Sequence, residues 1–218
     1  MIIGLTGKYC AGKNYVAAIL EKKGLPVLDV DKLGYQALET EKELIFSQFG
    51  NDLQRDDGSL DRRLLGQRVF GNPEKLRQLE NIVHPPVNRM TDEWIASQSP
   101  LVNNSLLNSS LVISGHCVIN AALLHRSVVF SKLDRIILVT APLFIRLLRA
   151  KRRDRLSWPV IFNRFSSQKN FNSQYLSVNA EIYKVGNPEI SDWWNLHRRC
   201  NEHQILEGRI DKILEGIK

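Results

Sequence analysis

The hydrophobic residues along the chain alternate between short continuous runs and helically spaced stripes. Ile2–Thr6 is an apolar run closed by Gly7, a pattern typical of a buried strand in a parallel sheet. In Lys13–Lys23 the apolar positions recur with helical spacing, and Gly24 follows as a C-terminal cap. Pro26–Leu28 predicts a second strand. Strand, helix and strand in so short a segment form a βαβ unit, the usual start of a doubly wound sheet.

The remainder of the chain predicts an α/β core with helical insertions after its second and fourth strands. Its elements are, in chain order, a charged helical segment at 31–97, a Ser/Asn-rich surface loop at 99–110, strands at 111–114 and 135–139, a basic helix, a last strand at 181–185 and a helix near 205–217. Short parallel strands that alternate with helices indicate a single sheet.

The charge balance favours a partner that is itself anionic. The 30 basic and 23 acidic side chains leave a net charge of +7, which suits nucleic acid, an anionic membrane or a phosphate-rich metabolite. The three cysteines, Cys10, Cys117 and Cys200, are widely spaced and form no CxxC pair, so we expect reduced thiols. No apolar run approaches the ~18–20 residues of a membrane span, and the N-terminal run is interpreted as a core strand. We expect a soluble cytoplasmic protein without a membrane partner.

A phosphate-binding loop is predicted between the first strand and the first helix. Residues 7–13, Gly-Lys-Tyr-Cys-Ala-Gly-Lys, fit GxxxxGK, in which glycines let backbone amides curl around a phosphate and the lysine neutralises its oxygens. The alternative is a glycine-rich turn that caps an ordinary helix, but the strand–loop–helix context favours nucleotide binding. The candidate nucleotide-binding residues here are Gly7, Cys10, Ala11, Gly12, Lys13, Asn14 and Tyr15.

The residue after the loop lysine departs from the usual pattern. That position normally carries Ser or Thr, whose hydroxyl holds Mg²⁺, and here it is Asn14. An amide oxygen can ligate a hard cation, although with different reach and geometry. We therefore expect weakened or rearranged Mg²⁺ binding, with Asn14 as the candidate metal ligand.

Segments beyond the loop carry a more specific pattern. They are the Asp-x-Asp of Val27–Asp31, the run Asp57-Gly58-Ser59-Leu60-Asp61-Arg62, Val69-Phe70, Leu79–Pro85, the set Arg149, Arg153-Asp154, Arg164 and Gln168, and finally Ala180-Glu181 with Gly186-Asn187-Pro188. In order and spacing these segments resemble the DGxLDR…VF…LExIxHP run, the RxxxRD…RxxxQ lid and the closing motif of the dephospho-coenzyme A kinase family. The resemblance covers almost the whole chain, and residues 57–85 are its most distinctive part.

The resemblance implies a fold, a domain organisation and an activity. The fold would be a P-loop doubly wound parallel sheet with a helical substrate-binding insertion and a helical lid. The nucleotide-binding core would comprise 1–30, 98–142 and 176–218, the substrate lobe 31–97 and the basic lid 143–175. The activity would be ATP- and Mg²⁺-dependent phosphorylation of the ribose 3′-hydroxyl of dephospho-coenzyme A, the last step of coenzyme A synthesis.

Catalytic roles follow for an acidic and a basic pair. A sugar kinase needs a carboxylate to orient the acceptor hydroxyl, and the resemblance gives this role to Asp31 with support from Asp29. The alternative is that both acidic residues merely end a strand and begin a helix. Of the six basic residues in 146–155, Arg149 and Arg153 lie on one helical face, and the resemblance places them at the transferring phosphate, beside Lys13. We expect the other four to be surface residues: Arg146, Lys151, Arg152 and Arg155.

Four further positions are candidates on the strength of the resemblance. Arg62 would hold the substrate diphosphate, Tyr35 stands where the family usually has a basic or histidine side chain, and Asn187 would contact the nucleotide. His84, with Pro85, would close the helical insertion, either as a structural or as a substrate-shaping residue.

The third strand weakens the match and leaves other functions open. Ser114–Asn120 has lost both carboxylates and the proline of the family's corresponding strand. A non-catalytic nucleotide- or coenzyme-binding relative, or a kinase of another small metabolite, are therefore the alternatives. Nucleic-acid binding ranks last because the basic residues concentrate in the lid without interleaved aromatic residues. We expect a monomer or a weak homo-oligomer.

Overall fold

The computed structural model describes residues 1–98, 115–168, 171, 173–175, 180–187 and 196–216. The strands are β1 (Ile2–Gly7), β2 (Val27–Asp29), β3 (Cys117–Asn120), β4 (Arg135–Thr140) and β5 (Glu181–Gly186). The helices are α1 (Lys13–Lys22), α2 (Val30–Thr40), α3 (Lys42–Phe49), α4 (Arg62–Val69), α5 (Pro73–Ser97), α6 (Leu143–Asp154), α7 (Trp158–Ser166) and α8 (Leu196–Glu215). The predicted loop at 99–110 and the predicted strand at 111–114 lie outside the described residues.

The strands form one five-stranded sheet in the order β2-β3-β1-β4-β5. Strand β1 pairs in parallel with β3 on one side and with β4 on the other, and β4 pairs in parallel with β5. The central strand is fully buried at Ile3 and Leu5, as expected for a parallel sheet covered on its faces. The predicted α/β fold is confirmed. Strands β1, β2, β4 and β5 lie within a residue or two of their predicted places, whereas β3 begins after the strand predicted at 111–114 and lies within the segment 114–120 to which the resemblance assigned the third strand.

The sheet core is closed by the first and last helices. The apolar face of α1, including Val16 and Leu20, belongs to the same buried cluster as Leu206 and Ile210 of α8. Helix α8 begins at Leu196, well before the segment near 205–217 in which the sequence predicted it. The prediction followed the apolar stripe, whereas charged and polar residues extend a helix without contributing to that stripe.

The chain between β2 and the sheet core is helical and makes a compact unit of its own, Asp29–Ser97. Helices α2 to α5 belong to it, and its buried cluster includes Ile45, Phe46, Leu53 and Leu65. The second unit consists of Met1–Leu28 and Gln98–Lys218, which contains α6 and α7. The helical unit therefore has an apolar core separate from that of the sheet.

Helix α5 corrects one prediction. The prediction that His84 and Pro85 close the helical insertion is wrong, because α5 continues through Pro85 and Pro86 to Ser97. Proline removes a backbone donor and usually ends or kinks a helix. Pro86 and Val87, and Thr91 one turn later, are buried in α5. This packing compensates for the backbone hydrogen bonds that the prolines remove. None of the helices in the described ranges has the length and hydropathy that a membrane span requires.

Candidate active site

The predicted phosphate loop runs from the end of β1 to the start of α1. Gly12 caps α1 in a left-handed conformation, and its carbonyl accepts hydrogen bonds from the amides of Tyr15 and Val16. Cys10 is also left-handed, at φ 59°, a region that favours glycine. Burial raises the pKa of the Cys10 thiol, so the thiol stays neutral and is no activated nucleophile. The backbone thus forms the curled, amide-rich turn that binds anions at a helix N-terminus.

Asn187, from the segment after β5, lies against this loop. Its backbone amide donates to the Thr140 carbonyl at 2.7 Å, and its side-chain nitrogen donates to the Ala11 carbonyl at 3.2 Å. A β-carbon on Gly12 would collide with the Asn187 side chain. The second glycine of the motif is therefore required by its packing against Asn187 as well as by its backbone conformation.

Arg149 of α6 joins the loop and Asn187. One guanidinium nitrogen donates to the carbonyls of Cys10 and Ala11 at 3.2 and 3.1 Å. The other donates to the backbone and side-chain oxygens of Asn187 at 3.3 and 3.2 Å. The structure thus brings together three predicted elements, namely the loop, Arg149 and Asn187.

Arg153, one turn later, lies beside Tyr9 and Asp154. Its guanidinium donates to Asp154 at 2.7 Å and lies 5.2 Å from the centre of the Tyr9 ring, while the Tyr9 hydroxyl donates to the same carboxylate. Arg164 of α7 donates to Asp154 at 3.3 Å and approaches the Tyr9 ring to 5.6 Å. The hydrogen bond from Arg153 lowers the pKa of Asp154, and that bond in turn raises the pKa of Arg153. Both side chains are therefore charged at neutral pH.

Arg146 contradicts the expectation that it is a surface residue. Its side chain is only 7% exposed, donates to the Tyr9 carbonyl at 2.8 Å and lies 4.6 Å from the centre of the Phe165 ring. Arg146, Arg149 and Arg153 share one helical face at i, i+3 and i+7, and that spacing could have identified Arg146 from the sequence. The family pattern names only Arg149 and Arg153, so Arg146 was predicted to be a surface residue.

Tyr9 is a site residue that the sequence did not single out. It occupies a variable position of GxxxxGK, so the motif places no constraint on it. In the structure its amide donates to the Gln168 side chain at 2.7 Å, and its ring meets Phe165 edge-on at 5.4 Å. Tyr9 therefore connects the phosphate loop with α7 and the residues that follow it.

Asn14 contacts a second asparagine. The side-chain nitrogen of Asn120, at the end of β3, donates to the side-chain oxygen of Asn14 at 3.3 Å. Asn120 is 2% exposed, and its own side-chain oxygen has no hydrogen-bond partner among the described residues. Within the described ranges, no three His, Cys, Asp or Glu residues cluster in a way that could hold a metal. Two amides do not fit the hydroxyl-and-carboxylate pair by which P-loop enzymes hold Mg²⁺.

The predicted acceptor residues lie at the start of the helical unit. The Asp29 carboxylate accepts hydrogen bonds from the amides of Asp31 and Lys32 at 3.1 and 3.3 Å, and so caps α2. This capping matches, for Asp29, the alternative that the acidic residues begin a helix. Asp31 is exposed in the first turn of α2.

Three other predicted substrate residues also belong to this unit. The Arg62 guanidinium lies 5.1 Å from the centre of the Tyr35 ring, so these two exposed side chains form a cation–π pair. His84 is exposed within α5. The unit thus offers an exposed cation and an aromatic ring next to each other.

Comparison with known proteins gives matches along most of the chain. The family model described as dephospho-CoA kinase matches residues 1–182. A protein named dephospho-CoA kinase from Treponema pallidum (strain Nichols) is 31% identical over 220 residues, which are 98% of this chain and 93% of that protein. One of the same name from Bacillus licheniformis is 31% identical over 95% of this chain and 96% of its own. A crystal structure from Thermus thermophilus superposes with a TM-score of 0.75 at 28% identity, covering 100% of this chain and 98% of that one.

Proposed function

The chain belongs to the dephospho-coenzyme A kinase family and is a kinase of coenzyme A biosynthesis, and we propose that it phosphorylates the ribose 3′-hydroxyl of dephospho-coenzyme A with ATP. The observation that carries the proposal is the joining of the phosphate loop to Arg149 and Asn187. A glycine-rich turn that only caps a helix has no need of a half-buried arginine and a buried asparagine on its carbonyls.

ATP binding is assigned to the loop and its neighbours. The backbone amides of the loop would hold the phosphates, and Lys13, the first residue of α1, would neutralise the β- and γ-oxygens. The left-handed turns at Cys10 and Gly12 support this assignment because they orient successive amides in one direction. The assigned nucleotide-binding residues are Gly7, Cys10, Ala11, Gly12, Lys13, Asn14, Tyr15 and Asn187.

Stabilisation of the transferring phosphoryl group is assigned to Arg149 and Arg153. Charge develops on the equatorial oxygens during transfer, and a fixed guanidinium lowers the energy of that charge without reorganisation. Arg149 is held by four carbonyl and amide oxygens, so it is already fixed beside the loop. Arg153, whose side chain is 61% exposed, is oriented by its hydrogen bonds to Asp154 and would meet the phosphoryl group from the solvent side.

Preparation of the acceptor is assigned to Asp31. An exposed carboxylate can accept the proton of a sugar hydroxyl as the oxygen attacks, whereas Asp29 is engaged in capping α2 and would support Asp31 through the backbone. Arg62 would pair with the diphosphate of the substrate, and Tyr35 would pack near it. His84 would help to shape the substrate site.

A coupled ADP-release assay with ATP, Mg²⁺ and dephospho-coenzyme A, against controls that lack each component, tests the proposal. We expect ADP release that depends on the acceptor, with coenzyme A as the product. No ADP release although both substrates bind would favour a non-catalytic relative. The neutral Asn14–Asn120 pair is the structural reason to consider that alternative. No ADP release, with ATP bound but dephospho-coenzyme A not bound, would favour a kinase of another metabolite.

The role of Asp31 has its own test. We expect Asp31→Asn to abolish transfer while the affinity for ATP stays within about twofold, because the carboxylate acts on the acceptor. Asp56→Asn is the matched control, since Asp56 is an exposed aspartate in a turn of the same unit and should leave turnover unchanged. Full turnover by Asp31→Asn would remove Asp31 from the mechanism.

The association state and the location stay predictions. The sequence favours a monomer or a weak homo-oligomer in the cytoplasm. Light scattering on the purified chain, with and without substrates, measures the first of these directly.

A further inference from the structure

Asn14 and Asn120 meet beside the phosphate loop from separate elements. Asn120 is the last residue of β3 and lies in register with Leu5 of β1, the strand that leads into the loop. Asn14 follows the loop lysine in the first turn of α1. Their side chains share the hydrogen bond of 3.3 Å, although 106 positions separate them in the sequence. The two residues therefore form one local site.

Both side chains of this pair are uncharged amides. P-loop enzymes hold Mg²⁺ with a hydroxyl after the lysine and a carboxylate from a neighbouring strand. Here an amide stands at the first position, and a second amide at the end of β3 contacts it. The buried side-chain oxygen of Asn120, without a partner among the described residues, is an acceptor left over for a ligand or for water bound to one.

We propose that this neutral pair uncouples nucleotide binding from Mg²⁺, so that the chain binds ADP and ATP almost equally well with or without the ion. A carboxylate at this place repels nucleotide phosphates when Mg²⁺ is absent and attracts the ion when it is present. A neutral amide repels the phosphates less, and the oxygen of Asn14, which already accepts a hydrogen bond from Asn120, attracts the ion more weakly than a carboxylate. Any Mg²⁺ then enters with the nucleotide, held by phosphates and water, both of which commonly bind it. This inference rests on the proposed nucleotide-binding function.

The affinity of the intact chain for a fluorescent ADP derivative, titrated in excess EDTA and in excess Mg²⁺, tests the proposal. For the wild-type chain we expect the two dissociation constants to agree within about threefold. Asn120→Asp restores a negative charge, and we expect it to weaken binding in EDTA. The ratio of the dissociation constant in EDTA to that in Mg²⁺ should then rise about tenfold. The titrations are run at pH 8, since burial would raise the pKa of the new carboxyl.

Two further variants serve as a control and as a replacement for Asn120→Asp. Asn163→Asp makes the same chemical change at an exposed position of α7, and we expect it to leave the ratio at the wild-type value. If Asn120→Asp does not fold, Asn14→Asp replaces it, because Asn14 is exposed and a helix N-terminus tolerates an acidic residue. We expect Asn14→Asp to raise the ratio in the same direction.

The outcomes separate this inference from the function on which it rests. A wild-type ratio above about tenfold, or a ratio that stays unchanged in the acidic variants, would overturn the uncoupling while leaving the kinase assignment intact. Failure of every variant to bind ADP or ATP, with and without Mg²⁺, would instead overturn nucleotide binding itself, and the inference with it.

Discussion

Cys10 combines an unusual backbone conformation with a half-buried side chain in the middle of the phosphate loop. Within the described ranges, the non-glycine residues with positive φ are Cys10 and Arg155. A residue with a β-carbon pays about 1–2 kcal/mol in the left-handed region, whereas glycine adopts it freely. The loop geometry is thus maintained at Cys10 against the preference of its side chain.

We expect Cys10→Gly to raise the free energy of unfolding by about 0.5 kcal/mol, since the released strain slightly exceeds the extra freedom of glycine in the unfolded chain. Urea denaturation measures the change. Ala11→Gly is the control: Ala11 is fully buried and lies outside the left-handed region, so this change should lower the free energy of unfolding by about 1 kcal/mol. Equal losses in both variants would show that Cys10 stores no strain.

At the scale of elements, Tyr9 links the phosphate loop to α6 and α7. The guanidinium groups of Arg153 and Arg164 lie 5.2 and 5.6 Å from the centre of its ring, and its hydroxyl donates a hydrogen bond to Asp154. Because the pKa of Asp154 is held below its ordinary value of 3.8, the carboxylate is charged and the link is complete above that pH. The stabilisation is lost as pH falls through the lowered pKa, so it is constant across the physiological range.

We expect Tyr9→Phe to speed amide hydrogen exchange in α7 by about tenfold, because it removes the hydrogen bond that the hydroxyl accepts from Arg164 of α7, together with its bond to Asp154, but keeps the ring contacts. Exchange measured by mass spectrometry at pH 7 resolves α7 from the sheet. Tyr183→Phe, which removes a hydroxyl from β5, should leave α7 unchanged. Unaltered exchange in α7 of Tyr9→Phe would mean that the aromatic contacts alone hold the helix.

At the scale of the whole molecule, the chain has two compact units with separate apolar clusters. Leu53 is fully buried within the cluster of the helical unit, and Leu5 is fully buried in the sheet. A cavity in one cluster removes packing from that cluster alone. The two units should therefore differ in local stability when only one is perturbed.

We expect Leu53→Ala to lower the free energy of exchange-competent opening in residues 29–97 by about 3 kcal/mol while the amides of β1 keep their protection. Leu5→Ala provides the reciprocal measurement, with the loss expected first in the sheet. An equal loss of protection in both units from Leu53→Ala would show that the molecule opens only as a whole.

Much of this protein could be predicted from its sequence because the signals are local. The run Ile2–Thr6, the helical stripe that follows it and the glycines between them specify strand, loop and helix within a few residues. Arg149 and Asn187 were predicted as site residues because an ordered family pattern names them, and the structure brings both to the loop. The assigned roles of the site residues stay predictions.

The remaining features depended on contacts that sequence spacing does not reveal. Helix α5 passes through two prolines because its packing outweighs a local penalty. Arg146 reaches Tyr9 across 137 positions, and Asn120 reaches Asn14 across 106. The sequence by itself determined the order of the elements and the place of the phosphate loop, because hydrophobic periodicity and glycine determine the backbone conformation of residues close to them in the sequence. Only the tertiary structure decided which side chains surround that loop, because parallel strands bring distant segments to the same edge of a sheet.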